Sequence, residues 1–180
     1  MFVKKIYVEP SFRVPSASYF NDAIGLPPAS CPPLPGATIL FLDADNALQR
    51  RPEGELPLLE GLPALNEALR LPELRKVLVV ACGQWKNFLS LDSLRHMCRG
   101  EVGERLVDRT PRLEPSERLY TPHLELHAWL ALHPEIGDYC VLEPFWPFDP
   151  HVESAIFLPD GKVFGESGYE VQALKEILGR

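Results

Sequence analysis

The sequence predicts an α/β domain of three layers, α/β/α, built on a mainly parallel sheet. Short apolar runs alternate with helical patterns from residue 37 onward, as expected of a sheet covered by helices on both faces. The runs themselves, such as Ile39-Leu-Phe-Leu42, lack the polar alternation of a half-solvated strand. A chain of 180 residues, 46% hydrophobic and 24% charged, also suits one compact core without disulfides or metal clips.

Residues 1–36 hold seven of the 19 prolines and no sustained period, so they read as a Pro-rich N-terminal arm. Leu26 to Gly36 is expected to be extended or polyproline-like, and Lys5 to Glu9 could add a short edge strand. The domain proper is placed at 37–180. Its expected strands are Ala37 to Asp43, Lys76 to Ala81, Arg105 to Asp108, Asp138 to Glu143 and Ala155 to Leu158. Between them, Leu62, Leu65 and Leu69 line one helical face, Leu91, Leu94 and Cys98 a second, and Leu124, Ala128 and Leu132 a third. Thr121-Pro122 supplies a capping hydroxyl and a proline at the first helical position. A last helix is expected from Ser167, where Ser-Gly-Tyr-Glu forms a capping box to Glu170 and Val171, Leu174 and Leu178 face inward.

Composition narrows the function classes. No apolar run approaches the roughly 20 residues that span a bilayer, and Glu9-Pro10 interrupts the N-terminus before a signal core develops. A cytoplasmic protein without membrane partners is expected. Cys31, Cys82, Cys98 and Cys140 form no C-x-x-C, which points to free, mostly buried thiols and away from a zinc knuckle or disulfide scaffold. A net charge of −7 disfavours strong nonspecific nucleic-acid binding.

In open α/β sheets, ligands bind beyond the carboxyl ends of the strands. The first strand stops abruptly at Asp43-Ala-Asp45-Asn46. Two carboxylates so close repel unless they share a proton or a cation, and a magnesium ion with oxygen ligands is the natural compensation. An Asx-type turn, with Asp45 or Asn46 satisfying local amides, is the alternative reading. His123 and His127 have the i, i+4 spacing of a zinc pair, but Glu125 is misplaced for H-E-x-x-H, so a solvated helix face is expected there. No G-x-S-x-G elbow occurs. The loop Pro144-Phe-Trp-Pro-Phe-Asp-Pro150 reads as a rigid packed loop or as a stacking wall for an aromatic substrate.

A hydrophobic strand, Asp43-Ala-Asp45 and an apolar Leu48 resemble the first motif of the haloacid dehalogenase (HAD) superfamily. More narrowly, Trp85-Lys86, Arg109-Thr110-Pro111, Glu125-Leu-His-Ala-Trp129-Leu130 and Tyr139 to Glu143 resemble the small HAD domain of Swiss Army Knife RNA-repair proteins, over roughly residues 37 to 178. The resemblance implies a Rossmann-like sheet without a cap domain. It implies a phosphohydrolase with Asp43 as nucleophile and Asp45 as acid and base, and Mg²⁺ on the Asp43 carboxylate, the Asp45 main-chain carbonyl and Glu143. Cys82 and Gly83 occupy the phosphate-binding position, where the family has a Ser or Thr. Arg118, with Arg112 and His123 as alternatives, is the candidate cation. Glu143-Pro144 stands for the family's paired aspartates, with Asp149 a possible second acid. An uncapped site favours a bulky phosphorylated substrate, such as a macromolecule or a nucleic-acid end. The other reading, drawn from the departures at the later motifs, is a catalytically degenerate HAD-like domain that serves as a binding or interaction module.

Overall fold

The computed structural model describes residues 31–49, 59–113, 121–143, 155–158 and 162–179, with the side chains of 45, 121–123, 143 and 157 left aside. Five strands, β1 (Thr38–Asp43), β2 (Val77–Cys82), β3 (Leu106–Arg109), β4 (Asp138–Glu143) and β5 (Ala155–Phe157), form one sheet. Their order is β3-β2-β1-β4-β5, and every neighbouring pair is parallel. Each strand lies within one residue of its expected ends, and β1 and β2, buried on both faces, announce themselves as apolar runs.

The period of two along β1 divides the core. Leu40 and Leu42 point to one face, where they meet Leu65, Leu69, Leu94, Val102 and Leu174. Ile39 and Phe41 point to the other and pack with Leu126, Trp129 and Val141. All four β1 side chains are fully or almost fully buried, each worth about 1.5–3 kcal/mol of hydrophobic stabilisation.

The helices are α1 (Ala44–Ala47), α2 (Leu62–Leu69), α3 (Leu91–Met97), α4 (Glu101–Arg105), α5 (Thr121–Leu132) and α6 (Glu170–Leu178), with single 3₁₀ turns at Pro72–Leu74 and Trp85–Asn87. Helices α2, α3, α4 and α6 cover the first face and α5 the second, completing three layers. No cap domain is formed among the described residues. Helix α3 opens on Ser90, whose Oγ accepts the Ser93 N–H at 3.1 Å.

Three expectations are corrected. Helix α6 starts at Glu170 and not at Ser167. Half of the capping box does form, as Glu170 Oε1 accepts the Ser167 N–H at 3.2 Å, but the intervening residues stay outside the helix. On α5, the stripe of Leu124 and Ala128 packs against Leu113 of the loop after β3, while Leu126 and Trp129 face the sheet. The helix is buried on two sides, so its His127 and Glu125 lie inside the protein and the solvated face expected there is absent.

The described end of the arm, residues 31–36, lies against the domain, with Cys31 and Leu34 packed on the second core. Lys5 to Glu9 falls outside the described residues. All four cysteines are free, and three are buried. No helix among the described residues is long and apolar enough to cross a membrane.

Candidate active site

The carboxyl edge of the sheet collects the acidic strand ends. Asp43 pairs in register with Cys82 of β2. On the other flank Leu42 pairs with Leu142, which makes Glu143 the next residue of β4 at the same edge. The chain runs outward from β1 through β2 to β3, then crosses back to β4 and β5. The topological switch therefore falls between β1 and β4, where open α/β sheets bind ligands.

Asp43 stands at the N-terminal flank of the short helix α1, half-buried and without a side-chain capping bond, and its Oδ2 accepts a hydrogen bond from Asn46 Nδ2 at 2.9 Å. Asp45 lies in α1, immediately beyond the strand. Cys82 is buried, and Gly83 follows at φ +81°, a left-handed conformation that favours glycine where β2 breaks sharply toward Trp85–Asn87. Arg118, Asp149 and the loop 144–150 lie outside the described residues, as does the His123 side chain. Arg112 is exposed at the rim of a neighbouring cleft.

Among the described residues, the buried cation at this end of the sheet is Lys86, which the sequence offered only as a landmark. Its side chain is 1% exposed, and Nζ stands 3.0 Å from Glu125 Oε2. Nζ also donates to the Pro111 carbonyl at 3.1 Å and to Asn87 Oδ1 at 3.2 Å. Burial holds the amine below the ordinary lysine range, opposed by Glu125 and by the nearby Cys82. Glu125 Oε1 accepts the Leu113 N–H at 3.0 Å. Arg109 Nη1 donates to the carbonyls of Lys86 and Leu89 at 2.9 and 2.8 Å. Together these bonds tie the turn after β2, the loop after β3 and helix α5 into one unit. The available signal was a lysine directly beyond an apolar strand and a glutamate inside an apolar helix, both of which need a partner when buried.

Beside this unit lies a cleft of about 230 Å³, lined by Lys86, Asp108, Thr110, Arg112, Trp129 and His133 among others. Trp129 reaches from the core to its wall. The ring packs edge-on against Phe41 at 5.4 Å, and its Nε1 donates to Asp108 Oδ2 at 2.8 Å. His133 stacks on the same indole at 4.1 Å. Its Nδ1 lies 3.1 Å from Glu135 Oε1, and its Nε2 lies 3.6 Å from Cys31 Sγ. Burial, and then the Asp108 carboxylate, push the Cys31 thiol up to about 12. The Leu34 N–H holds the Glu135 carboxyl below the usual range.

No family model, no curated protein and no solved structure matches the chain.

Proposed function

We propose that the chain is a HAD-like, magnesium-dependent phosphohydrolase acting on a bulky phosphorylated substrate at the carboxyl edge of its sheet. The observation that carries this reading is the register that brings Asp43, Cys82 and Glu143 to the same edge of three adjacent strands, at the topological switch. The donors fit magnesium in kind. They are hard oxygens, and Asp43 already presents an acceptor oxygen to Asn46. The carboxylates of Asp43 and Glu143, with the Asp45 main-chain carbonyl, would hold the ion. Once bound, magnesium neutralises charge on the phosphoryl oxygens.

In this reading an Asp43 carboxylate oxygen attacks phosphorus, and the bond from phosphorus to the leaving oxygen breaks as Asp45 protonates that oxygen. Asp45 then takes a proton from water, which attacks the aspartyl phosphate, releases phosphate and restores Asp43. Backbone amides at Cys82 and Gly83 receive the phosphate. The lack of a cap domain among the described residues suits a macromolecular end.

One observation favours the second reading, a catalytically degenerate binding module. The buried lysine beside the site is already matched by Glu125, so its charge is largely committed within the protein. The test is magnesium-dependent phosphate release from a generic aryl phosphate, with Asp43→Asn purified identically. Turnover that requires magnesium and falls at least about 100-fold in the variant is the expected result. Equal traces from both proteins would reject the enzyme in favour of the binding module.

A further inference from the structure

We propose that Cys31, Asp108 and His133 form a zinc site that clamps the end of the Pro-rich arm to the sheet and leaves a fourth position toward the neighbouring cleft. This site is separate from the acidic edge around Asp43 and does not depend on the phosphohydrolase reading.

The donor atoms of the three residues all lie within 4.8 Å of one another, and Asp108 and His133 are buried. Zinc bonds of roughly 2.3 Å to sulfur and 2.05 Å to nitrogen, meeting at a tetrahedral angle, separate the two donors by roughly 3.6 Å. Cys31 Sγ and His133 Nε2 stand 3.6 Å apart. That pair already stands at the separation the ion requires, and an Asp108 carboxylate oxygen lies within 4.8 Å of both.

The supporting contacts are those of a metal centre. His133 directs Nδ1 to Glu135 Oε1 at 3.1 Å, which turns Nε2 toward Cys31 and favours its lone pair there. Carboxylate support of this kind orients ligating histidines and raises their basicity. Glu135 Oε1 also accepts the Leu34 N–H at 3.0 Å, so one carboxylate positions both the histidine and the segment that carries Cys31. Trp129 Nε1 fixes Asp108 Oδ2 at 2.8 Å, and the indole stacks on the His133 ring.

Charge and donor softness choose the metal. A thiolate, a carboxylate and a neutral imidazole neutralise a dication, so the occupied site carries no net charge into its buried setting. A mixed S, N, O set suits zinc, whereas magnesium and calcium want oxygen alone. Three protein ligands are also the number found where zinc keeps an open position for water or substrate. Asp108 and His133 both line the cleft, which supplies that access. The spacing of the three residues along the chain, with no C-x-x-C, hides the site from motif reading.

The experiment uses the full chain, stripped of metal and titrated with Zn²⁺ against a chromophoric chelator, and with Co²⁺ for its spectrum. One equivalent of zinc is expected to bind. Cys31→Ser should weaken binding at least about 10-fold and abolish the thiolate-to-cobalt charge-transfer band, and Glu135→Gln, which leaves every ligand in place, should weaken binding about 10-fold. No stoichiometric binding, or a band unchanged in Cys31→Ser, would overturn the proposal. Should Cys31→Ser not fold, alkylation of the wild-type chain decides the question. Peptide mass should show Cys31 modified at least about 10-fold more slowly with one equivalent of zinc present, and an unchanged rate would overturn the site.

Discussion

Lys86 and Glu125 form an ion pair of 3.0 Å with side chains 1% and 7% exposed, joining the turn after β2 to helix α5. Removing one partner of such a pair strands the other charge away from water. Lys86→Met should therefore cost about 3–5 kcal/mol in urea denaturation. Adding Glu125→Leu removes the orphan charge and should recover part of that loss. Recovery stops short of complete because the Leu113 N–H loses its acceptor, at about 1–3 kcal/mol. A double variant no more stable than Lys86→Met alone would contradict the pairing.

The buried Cys98 thiol gives a pH signature. Burial pushes it from 9.0 up to about 11, so the folded chain keeps the proton that the unfolded chain releases. Its stabilising contribution is complete below 9.0 and is lost as pH rises through about 11, amounting to roughly 2–3 kcal/mol. Cys98→Ala leaves a cavity and lowers stability at every pH, but its decline between pH 9 and 11 should be shallower. Parallel slopes for the two proteins would refute this assignment.

Trp129 holds Asp108 through its indole nitrogen while its ring packs on Phe41. Trp129→Phe keeps an aromatic ring and removes the donor. The expected loss is about 3 kcal/mol or somewhat more, as the bond and part of the ring volume go together. Adding Asp108→Asn should change stability by less than it does in the wild-type background, since the carboxylate it removes has already lost its indole donor. Thermodynamic coupling near zero in that double-mutant cycle would exclude the hydrogen bond as a stabilising contact.

Gly103 is required by space. A Cβ there would stand 2.4 Å from the Arg95 carbonyl oxygen and 2.9 Å from that of Cys98, both backbone atoms that move only with helices α3 and α4. Gly103→Ala should cost about 1–3 kcal/mol or more. Gly137, where an added Cβ would meet nothing within 4 Å, provides the control, and alanine there should shift stability by about 0.5 kcal/mol or less. Equal midpoints for the two variants would show that α3 and α4 yield easily.

The strands β1 and β2 were legible because burial on both faces leaves a short apolar run rich in β-branched or aromatic residues. Asp43 and Glu143 were legible as strand ends, and the parallel register then brought them to one edge. Helix α5 was legible from its Thr121-Pro122 start, but its second buried face was not, since a helix packed on two sides loses the polar stripe that reveals an amphipathic one. Its Glu125 and His127 therefore passed for surface residues. The partner of Glu125 lies at Lys86, and that of Cys31 at His133, too far along the chain for any local period to connect them.

The central place of β1 has a consequence for synthesis. Thr38 meets Val77 on one side early, but its other neighbour, Asp138, leaves the ribosome only after some 100 further residues. At about 5–20 residues per second, one flank of this central strand stays open for roughly 5–20 s. A chain stalled or cleaved before residue 138 would carry that flank as an unpaired hydrophobic edge, a template for aggregation.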